Sequence, residues 1–114
     1  MTGRTPEKGD VVWISLSPQA GREQLGRRPA VVLSPAVYNA RSGLAVVCPV
    51  TSQVKGYPFE VRIPEGFPVH GVILADHIRS VDWHEREAEY VCRLPDILLT
   101  ALFDFLDILF DRHG

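Results

Sequence analysis

The sequence is poor in thiols and in long unbroken apolar runs. Its two cysteines, Cys48 and Cys92, stand alone in apolar, strand-like segments. With no metal-ligand spacing and no multi-cysteine framework, neither a structural zinc site nor a disulfide-rich fold is expected; both read as reduced, buried thiols. The longest oily stretch, Ile97 to Phe110, is interrupted by Thr100, Asp104 and Asp107, which excludes a membrane-spanning helix there. Met1 to Lys8 is polar and has no apolar centre, so no signal peptide is expected and a cytoplasmic location follows. No repeat, low-complexity tract or linker divides the chain. His70, His77 and His84 recur every seven residues, but on strands and turns this is not a metal pattern, and neither they nor His113 are read as ligands.

At 114 residues the chain is expected to form one domain, residues 1–114, with a single modest core. An apolar content of 46% and a charged content of 23% are ordinary for a globular protein. The net charge of −2 conceals a division. Residues 1–63 carry eight Lys/Arg and four Asp/Glu, whereas residues 64–114 carry four and ten. A basic half joined to an acidic half can focus positive potential on one face of a mildly acidic protein.

Short apolar runs between Gly and Pro residues dominate the first eighty-odd positions, the pattern of a small all-β core. Strands are expected over Val11–Leu16, Ala30–Ser34, Leu44–Val50, Phe59–Ile63, Gly71–Ala75 and Ile78–Val81, with an edge strand at 88–93. In Phe59–Ile63, Phe59, Val61 and Ile63 face inward and Glu60 and Arg62 outward. The tail is different: Asp96, Thr100, Asp104, Asp107 and Asp111 recur at helical steps, and Pro95 fits a first helical turn. Nearly everything between is Ile, Leu, Phe or Ala. That apolar sector is wider than one face of a small barrel can cover, so a homodimer is expected.

Two segments carry the chemistry. Glu23 to Pro35, E-Q-L-G-R-R-P-A-V-V-L-S-P, and Pro49 to Val61, P-V-T-S-Q-V-K-G-Y-P-F-E-V, each join a polar stretch to an apolar strand. Packed side by side, their strand ends form a cationic, hydrogen-bonding groove without metal ligands, a surface suited to a phosphodiester. The polar loop Ser17 to Arg28 brings Arg22, Arg27 and Arg28 and is long for a small barrel, so it is expected to close over a substrate.

The chain resembles the MazF/PemK family of toxin endoribonucleases. The likeness runs through Gly9-Asp10-Val11-Val12-Trp13, Arg28-Pro29-Ala30-Val31-Val32-Leu33-Ser34-Pro35, Tyr38-Asn39, Lys55-Gly56-Tyr57-Pro58-Phe59-Glu60-Val61, Leu74-Ala75-Asp76 and Ser80-Val81-Asp82-Trp83. It implies a mainly β, SH3-like (CcdB/PemK-type) barrel with a C-terminal α-helix, acting as a dimer. It also implies sequence-specific cleavage of single-stranded RNA, chiefly mRNA, with no cofactor or metal, and a cognate MazE-like antitoxin whose acidic segment occupies the same groove. Catalysis maps onto Arg28, Thr51 and Glu23. Arg28 stabilises phosphate charge, and Thr51 donates a hydroxyl. Glu23, Arg28 and His77 are the candidates for the base, with Glu23 favoured because a guanidinium stays protonated. RNA contacts are expected from Arg22, Gln24, Arg27, Tyr38, Asn39, Ser52, Gln53, Lys55, Tyr57, Asp76, His77 and Arg79. No membrane partner is expected.

Two rival readings compete with this one. A CcdB-like toxin that binds DNA gyrase shares the barrel class, but such proteins end in a tryptophan-containing tail, and here no tryptophan follows Trp83. An SH3-like peptide-binding module would want an exposed aromatic groove rather than an arginine-rich loop.

Overall fold

The computed structural model describes residues 4–16 and 27–113. Seven strands and two helices follow in the order β1 (Asp10–Ser15), β2 (Arg27–Val32), α1 (Ala36–Ser42), β3 (Leu44–Thr51), β4 (Glu60–Arg62), β5 (Val72–Leu74), β6 (Arg79–Asp82), β7 (Glu89–Arg93) and α2 (Asp96–Leu109). All pairings are antiparallel, in the order β4-β5-β3-β2-β1-β7, with β6 beside β3. The long strand β3 is the hub. One edge pairs with β2, and the other is shared, Leu44–Val47 with β6 and Val50–Thr51 with β5.

Strands β1, β2 and β3 are covered on both faces, which explains their near-continuous apolar runs. Val11, Val31, Cys48 and Val50 point into one core with Ile73, Leu94, Leu102 and Leu106. Their neighbours Val12, Ile14, Ala30, Val32, Ala45 and Val47 point into a second core with Val81. The period-two alternation therefore separates two buried sets rather than an inside from an outside.

The expected mainly β fold with a C-terminal helix is present, but the barrel is not closed. Among the described residues β4 and β7 do not pair. Side chains of α2 fill the first core beside β4 instead, with the Phe105 ring 4.9 Å from that of Phe59. Asp96, Thr100, Asp104, Asp107 and Asp111 are all exposed, as their spacing requires. Ile97, Ile108, Leu109 and Phe110 are exposed as well.

Both cysteines are free thiols. Burial, reinforced by the charge of Asp76, pushes the Cys48 thiol up to about 12. Burial and then the Asp10 carboxylate raise Cys92. Asp10 is itself buried; it accepts the Glu7 amide at 2.9 Å and lies 3.6 Å from the guanidinium groups of Arg4 and Arg93.

Helix α1 was not legible, and its discovery corrects one expected RNA contact. Asn39 is fully buried. Its amide nitrogen donates to the carbonyls of Pro6 at 2.8 Å and Ser34 at 3.0 Å, its side-chain oxygen accepts the Ser34 hydroxyl at 2.6 Å, and its carbonyl accepts the Trp83 indole N–H at 3.0 Å. Asn39 therefore pins the N-terminal segment and β2 to α1 and is not available to RNA. Removing that side chain orphans buried polar groups at about 1–3 kcal/mol each. Asn39→Ala is expected to cost about 2–4 kcal/mol, a fall in Tm of ~10 °C or more by scanning calorimetry.

Candidate functional site

The site is built where β2 and β3 end. Ala30 pairs with Pro49, Val31 with Cys48 and Val32 with Val47. Beyond the Ala30–Pro49 pair, β2 runs back to Arg27 and β3 runs on to Thr51. Arg28 pairs with Ile14 of β1. Arg28 and Thr51 both line a cavity of about 490 Å³ whose other walls are Leu16, Pro49, Val50, Gln53, Lys55, Tyr57, Glu60, Leu74, His77 and Arg79. Three cations, Arg28, Lys55 and Arg79, face one carboxylate, Glu60, so the groove attracts anions while the whole chain carries −2.

Arg79 is held in place, its Nη1 donating to the Leu16 carbonyl at 2.8 Å. Thr51 Oγ1 accepts the Gln53 amide at 3.1 Å. A hydroxyl carries one donor and two acceptor sites, so accepting that amide leaves its own proton to be offered to a ligand. The Thr51 backbone is fixed from behind by Gly71, which has φ +109°. A Cβ at that position would overlap the Thr51 carbonyl oxygen and come within 2.7 Å of its carbon. Only glycine permits this approach of β5 to the end of β3.

The groove gathers Arg28, Thr51, Gln53, Lys55, Tyr57, His77 and Arg79 from the residues expected by sequence. Ser52 and Asp76 are exposed neighbours outside its lining, with Asp76 Oδ1 3.8 Å from His77 Nε2. Tyr38 is exposed on α1, away from the lining residues. Arg22, Glu23 and Gln24 lie outside the described residues.

Arg27 corrects a second expectation. Its guanidinium donates to the carbonyls of Trp13 at 3.3 Å, Glu87 at 3.3 Å and Arg86 at 3.5 Å, and pairs with Glu89 at 3.0 Å. It thereby ties the start of β2 to β1 and to the turn before β7 rather than standing free for a phosphate. Sequence reasoning missed Glu60, read as an outward strand residue. Its carboxylate faces the groove and accepts the amides of Lys55 at 3.2 Å and Gly56 at 2.9 Å. Among the described residues no three His, Cys, Asp or Glu side chains gather as a metal site would require, and no helix is long and apolar enough to cross a membrane.

An open antiparallel β domain with a cationic groove at its strand ends is the architecture of a known toxin class. The family model for the PemK-like, MazF-like toxin of type II toxin-antitoxin systems matches residues 7–110, and the chain belongs to that family. It is 48% identical over 83 residues to the endoribonuclease toxin MazF of Escherichia coli strain K12, covering 73% of this chain and 74% of that protein. Among solved structures it is similar to MazE-MazF from Deinococcus radiodurans, at 50% identity and a TM-score of 0.88 over 96% of this chain and 99% of the other. MazF alone from the same organism gives 51% identity and a TM-score of 0.86 over 95% and 98%.

The Gly71 contact makes a direct prediction. Gly71→Ala combines a left-handed backbone with a clash against Thr51, and is expected to cost more than about 2 kcal/mol in urea unfolding. The Thr51 and Val72 amide resonances should shift with it. Wild-type stability with unmoved resonances would show that the strand end does not depend on this contact.

Proposed function

We propose that this chain is an endoribonuclease toxin that cuts single-stranded RNA, chiefly mRNA, in a sequence-specific and metal-independent way, and so blocks translation. The observation that carries the reading is that Arg28 and Thr51 line one cationic groove, in a chain whose relatives are named endoribonucleases.

In the proposed reaction the ribose 2′-oxygen attacks the adjacent phosphorus and the bond to the 5′-oxygen breaks. The 2′-OH proton passes to a base, and the departing oxygen gains one. The products are a 2′,3′-cyclic phosphate and a 5′-hydroxyl. Negative charge gathers on the non-bridging oxygens during the step, and a guanidinium can engage two of them at once. That role falls to Arg28, which pairs with Ile14 of β1 and is followed by the rigid Pro29. Thr51 donates a hydrogen bond from its hydroxyl to the phosphate, and the proton gained by the departing oxygen comes from the Arg28 guanidinium, which the proton taken up by the base restores at the end of the cycle. The base is drawn from Glu23, Arg28 and His77; Glu23 is the better base on chemical grounds, and the His77 imidazole stands on the groove wall. Glu60 is engaged instead by the amides of Lys55 and Gly56.

Gln53, Lys55, Tyr57 and Arg79 would read unstacked bases by edge hydrogen bonds and stacking. An antitoxin like the MazE in the Deinococcus radiodurans complex would lay an acidic, extended segment in the same groove and exclude RNA. The protein is proposed to act as a homodimer. Ile97 and Phe110, 79% and 66% exposed, head an apolar surface on and beyond α2 that water disfavours.

Purified protein incubated with mixed-sequence single-stranded RNA in EDTA is expected to yield cyclic-phosphate and 5′-hydroxyl ends. Arg28→Ala and Thr51→Ala should each lower the rate by ~100-fold or more. Binding affinity plotted against salt should lose about 0.7 of slope per phosphate contact in Arg28→Ala. Arg27→Ala should leave the slope unchanged and lower stability instead. Scission that requires added metal would overturn the mechanism, and absence of cutting with tight gyrase binding would favour the CcdB-like alternative.

The dimer is tested separately. The wild-type chain is expected to sediment as a dimer at micromolar concentration, and Phe110→Asp to shift it toward monomer. A monomeric wild type would refute the dimer.

A further inference from the structure

We infer that Glu60 determines cleavage specificity by latching the segment that carries Gln53, Lys55 and Tyr57 over the groove. The inference rests on the endoribonuclease reading above. Residues 52–58 belong to no strand or helix, and every one of them is exposed. A segment without buried side chains has no packing to select one backbone conformation. Its order has to come from hydrogen bonds, and these are few.

At the entrance, Thr51 Oγ1 accepts the Gln53 amide at 3.1 Å. At the exit, Glu60 makes three bonds. Its Oε2 accepts the Lys55 amide at 3.2 Å, its Oε1 accepts the Gly56 amide at 2.9 Å, and its own amide donates to the Tyr57 carbonyl at 3.2 Å. Hydrogen bonds to an ionised carboxylate are about twice as strong as neutral ones. Gly56 has φ +76°, a left-handed conformation that glycine adopts without strain and that here accompanies two successive amides converging on one carboxylate. Glu60 itself opens β4, where Glu60 pairs with Leu74 of β5. The latch is thus anchored to the sheet and clasps a wall of the groove that lacks regular structure.

Charge alone makes the opposite demand. A carboxylate among Arg28, Lys55 and Arg79 weakens the attraction for RNA, so deleting it should tighten binding if charge were its whole effect. A latch instead makes base reading depend on it, because side chains discriminate bases only when held in a fixed geometry.

The test compares wild type, Glu60→Gln and Glu60→Ala on a mixed-sequence single-stranded RNA pool with all cleavage sites mapped. Amide hydrogen exchange of the same proteins is followed by NMR. For Glu60→Ala we expect cleavage at sequences the wild type leaves intact, a KM for the preferred sequence raised about tenfold, and a kcat changed less than about threefold. The Lys55 and Gly56 amides should exchange at least tenfold faster while Val47 in β3 is unchanged, which also reports that the variant is folded. Glu60→Gln keeps an acceptor oxygen and should restore most of the selectivity. An unaltered set of cleavage sites, or unaltered Lys55 and Gly56 exchange, would overturn the latch. So would a kcat loss above 100-fold with KM and selectivity intact, which would place Glu60 in the chemistry. A wild type that does not cut RNA would overturn the endoribonuclease reading, and exchange at Lys55 and Gly56 would still decide whether the latch exists.

Discussion

The antiparallel pairing of β2 with β3 is the constraint on which the rest depends. Its register is locked because both strands are buried on both faces, so a slip of one residue would send Val31 and Cys48 into the wrong core. The same lock fixes what lies beyond the core. Where the apolar residues stop, β2 carries Arg28 near its start and β3 ends on Thr51, and both side chains line one groove. Core packing thus sets the position of a guanidinium relative to a hydroxyl, without either contributing to the core. Gly71 completes the arrangement by letting β5 press against the Thr51 carbonyl.

Two adjacent arginines show how finely this division of labour is drawn. Arg27 and Arg28 are neighbours in sequence, and successive side chains of a strand point to opposite faces. Arg28 enters the groove, while Arg27 is absorbed by three carbonyls and Glu89. One supports the other: the clamp made by Arg27 ties the root of β2 to β1 and to the 86–89 turn. An arginine committed to backbone carbonyls behaves as structure, whatever its charge would suggest.

Much of the fold could be read from the chain. Six of the seven strands lie within or across the apolar runs that mark them, and β7 falls at the sheet edge within the 88–93 segment expected to add an edge strand. Helix α2 was visible in the four-and-three spacing of its acidic stripe. Helix α1 was not, because its seven residues are too few to show a period and its anchor, Asn39, is held by partners distant in sequence. The open barrel was equally hidden, since closure depends on whether a helix or another strand covers β4. In the groove, Arg28, Thr51, Gln53, Lys55, His77 and Arg79 lie together as the family resemblance and their residue types led us to expect. Glu60 escaped because a carboxylate on a half-solvated strand carries the same signal whether it meets water or two amides.

The chain by itself settled the class of element, the family and the excess of positive charge in its first half, since these follow from residue order and composition. Three-dimensional packing alone decided which cations share a cavity, which are spent on carbonyls, and that Asn39 serves the interior. The physical reason is that hydrogen bonding and electrostatics act through space at a few ångströms. Sequence fixes distances of that order only between close neighbours, while the partners of Arg27, Asn39 and Arg79 lie up to 63 positions away.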